Sequence, residues 1–113
     1  MKFMNLEQIS VLQSFIDYND KKRLLFCLPE SAGDIFLSTS LLPSLKENYP
    51  DFDIYFACKK RYKDILKNNP YIHKVIDYLS VMENVHIMEG AADWPPLFDI
   101  SLIPSAITQR YIN

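Results

Sequence analysis

The sequence predicts an α/β domain of the Rossmann-like, three-layer type, with a mainly parallel sheet between two layers of helices. Short apolar runs of strand length alternate with segments of helical periodicity, and the connections between them are short. This alternation is typical of right-handed βαβ units. The first apolar run, residues 23–28, lacks polar alternation, as expected for a strand covered on both faces. The 113 residues, 49% of them hydrophobic, are predicted to form a single domain over residues 1–113.

The first predicted element is an extra N-terminal helix over residues 5–17. Four apolar residues recur there at helical spacing: Leu6, Ile9, Leu12 and Ile16. Asn5 and Gln8 resemble a capping box at its start. A polar segment ends this helix, and the first strand follows at residues 23–28.

The second helix is predicted over residues 34–48, with a bend at Pro43 because proline cannot donate a helical hydrogen bond. Its expected inward face consists of Ile35, Leu41, Leu42, Leu45 and Tyr49. The second strand is predicted at residues 53–58. A short helix follows over residues 61–68, with three residues expected to face inward: Tyr62, Ile65 and Leu66.

Three further short strands are predicted at residues 72–76, 85–88 and 99–103, and a last helix from residue 105 onward. The segment from 90 to 96 is predicted to be a loop that carries Trp94. Its indole can stack on a sugar or plug the loop into the core, and we favour the plug because no polar partners accompany it.

Composition excludes several classes of function. The net charge is −2 and the basic residues are mixed with acids, so we expect no nucleic-acid partner. Two cysteines in apolar runs, Cys27 and Cys58, are predicted to be buried, reduced thiols. With two separated histidines they form no expected metal site. The N-terminus lacks a signal-peptide pattern and no apolar run is long enough to span a bilayer, so we expect a soluble, cytoplasmic domain.

Gly33-Asp34 is the best candidate for chemistry, because it follows the first strand and opens the second helix. Only two glycines occur, which excludes a Walker A loop and a dinucleotide fingerprint. From its position, Asp34 is either a helix cap or a carboxylate that faces a substrate. Gly33 is expected to allow a close backbone approach or a positive φ. Ser31, Ser38 and Thr39 are candidate sugar-binding hydroxyls, although for the last two we favour hydrogen bonds to the preceding turn of their own helix.

Residues 23–78 resemble the opening of the heptosyltransferase-type glycosyltransferases (glycosyltransferase family 9). The ordered series that carries the likeness consists of the strand 23–28, Gly33-Asp34, Thr39-Ser40-Leu41-Leu42-Pro43, Tyr49-Pro50, residues 53–56, Tyr62 and Asn69-Pro70-Tyr71-Ile72. Two departures are Ser40, where the family usually has proline, and the acidic Glu30 in the loop before Gly33. The helix 5–17 also precedes the family's usual first strand.

The resemblance implies the N-terminal, acceptor-side half of a GT-B enzyme. Such an enzyme is inverting and metal-independent, and transfers a heptose or related sugar from a nucleotide-sugar such as ADP-heptose to a lipopolysaccharide-type or other glycan or glycolipid acceptor. The family's proposed general base corresponds to Asp34, with Gly33, Ser31, Ser38 and Thr39 as expected acceptor contacts. No other cofactor is implied. The donor-binding C-terminal domain is absent, so we expect a fragment that is inactive alone.

Alternatives remain open at this point. Instead of a glycosyltransferase fragment, the chain could be a stand-alone Rossmann-like binding module without catalysis. A third alternative is a different enzyme that uses loop 29–33 to bind a phosphate. A fragment lacking its partner domain is expected to expose apolar surface and to self-associate. The basic cluster Lys59, Lys60, Arg61 and Lys63 is most simply a solvated helix start, and otherwise contacts acceptor phosphates or a membrane surface at the inner face.

Overall fold

A four-stranded, all-parallel sheet forms the centre of the computed structural model, which describes residues 6–28, 32–84, 88–90 and 96–103. The strands are β1 (Lys22–Cys27), β2 (Phe52–Cys58), β3 (Lys74–Asp77) and β4 (Ile100–Leu102), in the spatial order β3-β2-β1-β4. The predicted α/β class with a parallel sheet is confirmed. Each strand lies within two residues of its predicted bounds, apart from residues 85–88.

Two apolar layers enclose the sheet, because successive side chains of a strand point to opposite faces. On one face, Leu25 and Cys27 pack with Ile9 and Leu12 of helix α1 (Leu6–Phe15). On the other face, Leu24 and Phe26 belong to a second cluster that contains Ile35, Leu42 and Leu66. Every side chain from Leu24 to Cys27 is at most 2% exposed, which explains why this strand shows no polar alternation.

The predicted second helix is divided into two, as the proline indicated. Helix α2 (Ala32–Ser38) is followed by a 3-10 turn at Thr39–Leu41 and by helix α3 (Leu42–Asn48). Pro43 occupies the first turn of α3, where its missing N–H costs no hydrogen bond. The expectation that Leu41 faces inward is wrong: it is 51% exposed, whereas Leu42 is fully buried. Because a 3-10 turn has three residues per turn, it changes which side chains of the following residues face the sheet.

The segment predicted as an α-helix over 61–68 is a 3-10 helix at Lys60–Leu66. Leu66 is buried and Tyr62 packs against the core, but Ile65 is 37% exposed, contrary to expectation. With three residues per turn, Ile65 rotates away from the face that an α-helix would present. Asn68, with φ 64°, ends this segment in the left-handed region.

The connection from β3 to β4 differs from its prediction. A 3-10 helix at Ser80–Glu83 follows β3. Residues 85–87 lie outside the described part of the chain, but Met88 is helical and its N–H donates to the Asn84 carbonyl at 3.1 Å, so the strand predicted there is wrong at Met88. Met88 is fully buried under the sheet, which explains the apolar character that suggested a strand. Trp94 and the helix predicted from residue 105 lie outside the described residues.

Strand β4 is short, and side chains fix its position beside β1. Arg23 donates its N–H to Asp99 Oδ2 and its Nε–H to the Leu97 carbonyl, both at 2.8 Å. The Asp99 N–H in turn donates to the Arg23 carbonyl at 2.8 Å. These bonds hold the segment that enters β4, so that Ile100 pairs with Leu24.

Helix α1 is attached to the amino-terminal edge of the sheet. The Asp17 carboxylate lies 2.9 Å from His73 Nε2 and 3.6 Å from Lys74 Nζ. The Asp17 N–H donates to the hydroxyl of buried Tyr55 at 2.9 Å. At the other end of α1, Gln8 Oε1 accepts hydrogen bonds from Ser80 Oγ and the Val81 N–H. The extra helix is therefore an integral part of one layer.

We predict that the Asp17 contacts stabilise the fold in a pH-dependent way. The hydrogen bond with His73, helped by the charge of Lys74, holds the pKa of Asp17 below its ordinary value of 3.8. A lowered folded-state pKa gives stability that is complete above 3.8 and is lost as the pH falls through the folded-state value. Urea unfolding should show Asp17→Asn to be less stable than the wild type at pH 7, with the difference vanishing in strong acid.

The control for this prediction is Asp20→Asn, which removes the same charge from the exposed segment after α1. It should leave the free energy of unfolding nearly unchanged at both pH values. Equal losses in the two variants would contradict a specific role for the Asp17 contacts.

Candidate functional site

The candidate site lies at the carboxyl edge of the sheet, where β1 ends between its two neighbours. From the carboxyl end of β1 the chain leads through α2 and α3 to β2 on one flank. On the other flank lies β4, which the chain reaches after β3, so the chain connections diverge beside β1. Open parallel sheets bind ligands outside the carboxyl ends of strands at such a divergence. Leu28 extends the pairing of β1, since its N–H donates to the Ala57 carbonyl at 3.0 Å.

Asp34 lies in the first turn of α2, as its third residue, and its side chain is exposed. It is therefore inside the helix rather than at the N-cap position. A carboxylate in the first turn is favoured by the helix dipole, so this position supplies a structural reason for an acidic residue whether or not it performs chemistry. Its exposure at the carboxyl edge leaves it accessible to a bound molecule.

Gly33 is helical, and the expectation of a positive φ is wrong for it; among the described glycines Gly90, at φ 89°, has that conformation. A Cβ added at Gly33 would meet no atom within 4 Å. Among the described residues, none therefore approaches this side of Gly33, and the position of an added Cβ is open. The physical reason is that α2 already includes Ala32, so Gly33 has helical backbone angles.

The hydroxyls near Asp34 hydrogen-bond to their own helix. Ser38 Oγ donates to the Asp34 carbonyl at 2.8 Å, and Thr39 Oγ1 donates to the Phe36 carbonyl at 2.6 Å. Ser40 Oγ likewise donates to the Leu37 carbonyl at 2.7 Å. Their protons are thus occupied, while their oxygens keep lone pairs that can accept a bond from a ligand. Ser31, the other predicted hydroxyl, lies outside the described residues.

Exposed apolar side chains accompany Asp34 on α2 and on the 3-10 turn that follows it. Phe36 is 68% exposed, Leu37 72% and Leu41 51%. We did not predict from the sequence that these side chains are exposed, although the sequence contains a signal for it. Ile35, Phe36 and Leu37 are consecutive. Because successive helical side chains are rotated by about 100°, three in a row cannot all face a sheet. Ile35, fully buried, occupies the core position and leaves its two successors outside.

Basic residues follow the carboxyl end of β2. Lys59, Lys60 and Arg61 are exposed, and no ion pair involves them within the residues that the structure describes. The Arg61 guanidinium lies 5.1 Å from the centre of the Tyr62 ring. Lys63 differs, because its Nζ is 2.6 Å from Asp77 Oδ1 at the end of β3. The cluster is therefore three unpaired cations and one neutralised lysine.

The cysteines are buried and free, as predicted. Burial raises the pKa of the Cys27 thiol to about 12 and that of Cys58 to about 11, so both stay protonated and unreactive at neutral pH. No group of three or more metal-ligating side chains occurs in the described segments. None of their helices is long and apolar enough to cross a membrane.

His73, one of the two histidines that are separated in the sequence, has close partners. His73 Nδ1 lies 3.7 Å from Asp53 Oδ1, in addition to its contact with Asp17. Asn19 Nδ2 donates to the other oxygen of Asp53 at 3.0 Å. These residues come from segments far apart in sequence, so no spacing signal could reveal them. Because they lie at the amino-terminal edge, they are separate from Asp34.

Comparison with solved structures found a family 9 glycosyl transferase from Veillonella parvula DSM 2008, with a TM-score of 0.48 and 24% sequence identity. The match covers 54% of this chain and 18% of that one. The chain resembles part of that structure in fold. It spans less than a fifth of that protein's length. Neither the protein-family models nor the curated proteins contain a match.

We predict that Gly33→Ala is tolerated by the fold. The helical φ and the open space favour alanine over glycine, so the free energy of unfolding should rise by about 0.5 kcal/mol. Gly90→Ala is the matched control: its φ is 89° and the added Cβ would meet Pro96 atoms at 3.0 Å, so it should lose roughly 1–2 kcal/mol. Urea unfolding measures both. Equal destabilisation of the two variants would contradict the helical assignment of Gly33.

Proposed function

We propose that this chain is the acceptor-side domain of an inverting, metal-independent glycosyltransferase that moves a heptose or related sugar from a nucleotide-sugar to a lipopolysaccharide-type or other glycan acceptor. The observation that carries the proposal is Asp34, an exposed carboxylate in the first turn of the helix that follows β1, at the ligand-binding edge of a parallel sheet. The ordered sequence resemblance across residues 23–78 gives this carboxylate a specific role.

In the proposed reaction Asp34 acts as the general base. An acceptor hydroxyl donates a hydrogen bond to the carboxylate, and its oxygen attacks the anomeric carbon from the face opposite the leaving group. The new carbon–oxygen bond forms as the bond to the nucleoside diphosphate breaks, and the proton passes to Asp34. This single displacement inverts the anomeric configuration. The leaving group carries away the electron pair and is held by the donor domain.

The neighbouring residues would position the acceptor. Gly33 would leave its backbone open to a sugar, since no described residue lies within 4 Å of a Cβ added there. Ser38 is only 8% exposed, which leaves Thr39, half-buried, as the more accessible of the two hydroxyls. A lone pair on Thr39 Oγ1 would accept a bond from an acceptor hydroxyl, and Ser31 is proposed to do the same.

A binding module without catalysis is the second candidate function. The observation that favours it is the hydrogen bonding of Ser38, Thr39 and Ser40, whose protons all go to helix carbonyls rather than to a cleft. In that case Asp34 stabilises the start of α2 and nothing more. Transfer activity distinguishes the two candidates.

We predict that Asp34→Asn severely slows sugar transfer by the complete gene product. Loss of the base should lower kcat by about a hundredfold to ten-thousandfold, because asparagine cannot accept the acceptor proton. Transfer from a nucleotide-heptose to a glycan acceptor is the measurement, and circular dichroism checks that α2 is retained.

Asp51→Asn is the control, since this exposed carboxylate precedes β2 at the opposite edge of the sheet. It should transfer sugar at the wild-type rate. Normal turnover by Asp34→Asn would contradict the assignment of the base. A wild-type protein that binds glycans but transfers nothing would establish the binding module instead.

A further inference from the structure

The outward side of α2 is the least expected surface of the described chain. Phe36, Leu37 and Leu41 are each more than half exposed, although a helix against a sheet normally directs its apolar residues inward. The inward positions are filled by other residues, Ile35 and Leu42, which are fully buried. The three exposed side chains are therefore not needed to fill the core.

The cationic residues come from an element that packs against α2. Helix α2 packs against the 3-10 helix Lys60–Leu66, and both contribute to the same apolar layer through Ile35 and Leu66. The two elements follow adjacent strands, whose ends are joined by the hydrogen bond from Leu28 to Ala57. Adjacent strands are about 4.8 Å apart, so Lys59, Lys60 and Arg61 border the region where α2 begins.

The hydroxyl protons next to the apolar side chains are already hydrogen-bonded within the helix. Thr39 and Ser40 donate to the carbonyls of Phe36 and Leu37, which leaves fewer unpaired groups on this side of the helix. Removing such a surface from water costs less than removing one with free hydroxyls and carbonyls. This favours contact with an apolar medium.

We propose that these two parts form one docking surface for an anionic lipid bilayer: the apolar side chains of Phe36, Leu37 and Leu41 enter the interface, and Lys59, Lys60 and Arg61 contact lipid phosphates. Leucine and phenylalanine beside lysine and arginine are the composition of interfacial helices. The cations are consecutive and unpaired within the described residues, so they present positive charge to an anionic surface.

The size of the apolar surface favours a bilayer over a protein partner. Three side chains exposed to this extent offer on the order of 300 Å², whereas a stable protein interface buries about 800 Å² on each partner. A bilayer needs only a few inserted side chains and a basic border. The acidic side chains on the two elements, Asp34 and Asp64, are outnumbered by the cations, and Asp77 is paired with Lys63.

Vesicle co-sedimentation of the chain tests the proposal, with vesicles of phosphatidylglycerol and phosphatidylcholine in equal parts. The wild type should bind these vesicles and should bind phosphatidylcholine vesicles much more weakly. The double variant Phe36→Ser, Leu37→Ser should lower the partition coefficient about tenfold or more. The variant Lys59→Gln, Lys60→Gln should lower it severalfold and reduce its dependence on salt.

Matched controls come from the opposite layer and edge. Leu6, on α1, is 60% exposed. Lys21 precedes β1, and Lys22 is its first residue. Leu6→Ser and the variant Lys21→Gln, Lys22→Gln should bind vesicles as the wild type does. All substitutions are at exposed positions, so circular dichroism should be unchanged, and the cation variants give an answer even if the serine variant is poorly folded.

Three results would overturn the proposal: no binding of the wild type to anionic vesicles, equal losses in the control variants, or a change from dimer to monomer in the serine variant by size-exclusion chromatography. The last would make this surface an interface between copies of the chain. The assay contains no sugar donor or acceptor, so its outcome is independent of the transfer reaction proposed above.

Discussion

Strand β1 is the element on which the rest of the structure depends. It pairs with β2 on one side and with β4 on the other, and four of its six side chains are almost completely inaccessible. The stacked rings of Phe26 and Phe56, 4.9 Å apart, link β1 to β2 at a paired position of the register. Because β1 is fixed on both edges and both faces, the residues that follow it are delivered to one defined place at the carboxyl edge.

Helix α2 has a buried side that packs on the sheet and an exposed apolar side. Ile35 and the buried Ser38 attach it to the sheet, while Phe36 and Leu37 remain in contact with solvent. Most small α/β domains avoid such exposure, since a contiguous apolar patch on a monomer is often a contact surface. Asp34 lies one turn before Leu37 on the same helix, so the candidate base and the apolar surface are held in a fixed relation by the fold.

The two edges of the sheet differ in chemistry. At the amino-terminal edge, the polar side chains of Asp17, His73, Asp53 and Lys74 contact one another and join α1 to the sheet. At the carboxyl edge, Lys59, Lys60 and Arg61 have no ion-pair partner in the described segments, and the space above Gly33 is open. The first edge satisfies its own groups and stabilises the fold, whereas the second leaves groups available to other molecules.

The sequence alone determined the class of fold, the strands β1 and β2, the interruption of the second helix near Pro43 and the position of Gly33-Asp34 after β1. These depend on apolar runs, proline chemistry and chain order. Tertiary structure decided the rest. The 3-10 winding at Thr39–Leu41 and Lys60–Leu66 exposed Leu41 and Ile65, and Met88 became helical in a buried position. The partners of His73 come from segments 20 or more residues away. Local sequence patterns do not predict a change from α-helical to 3-10 winding or a contact between distant segments, because packing against the sheet determines both.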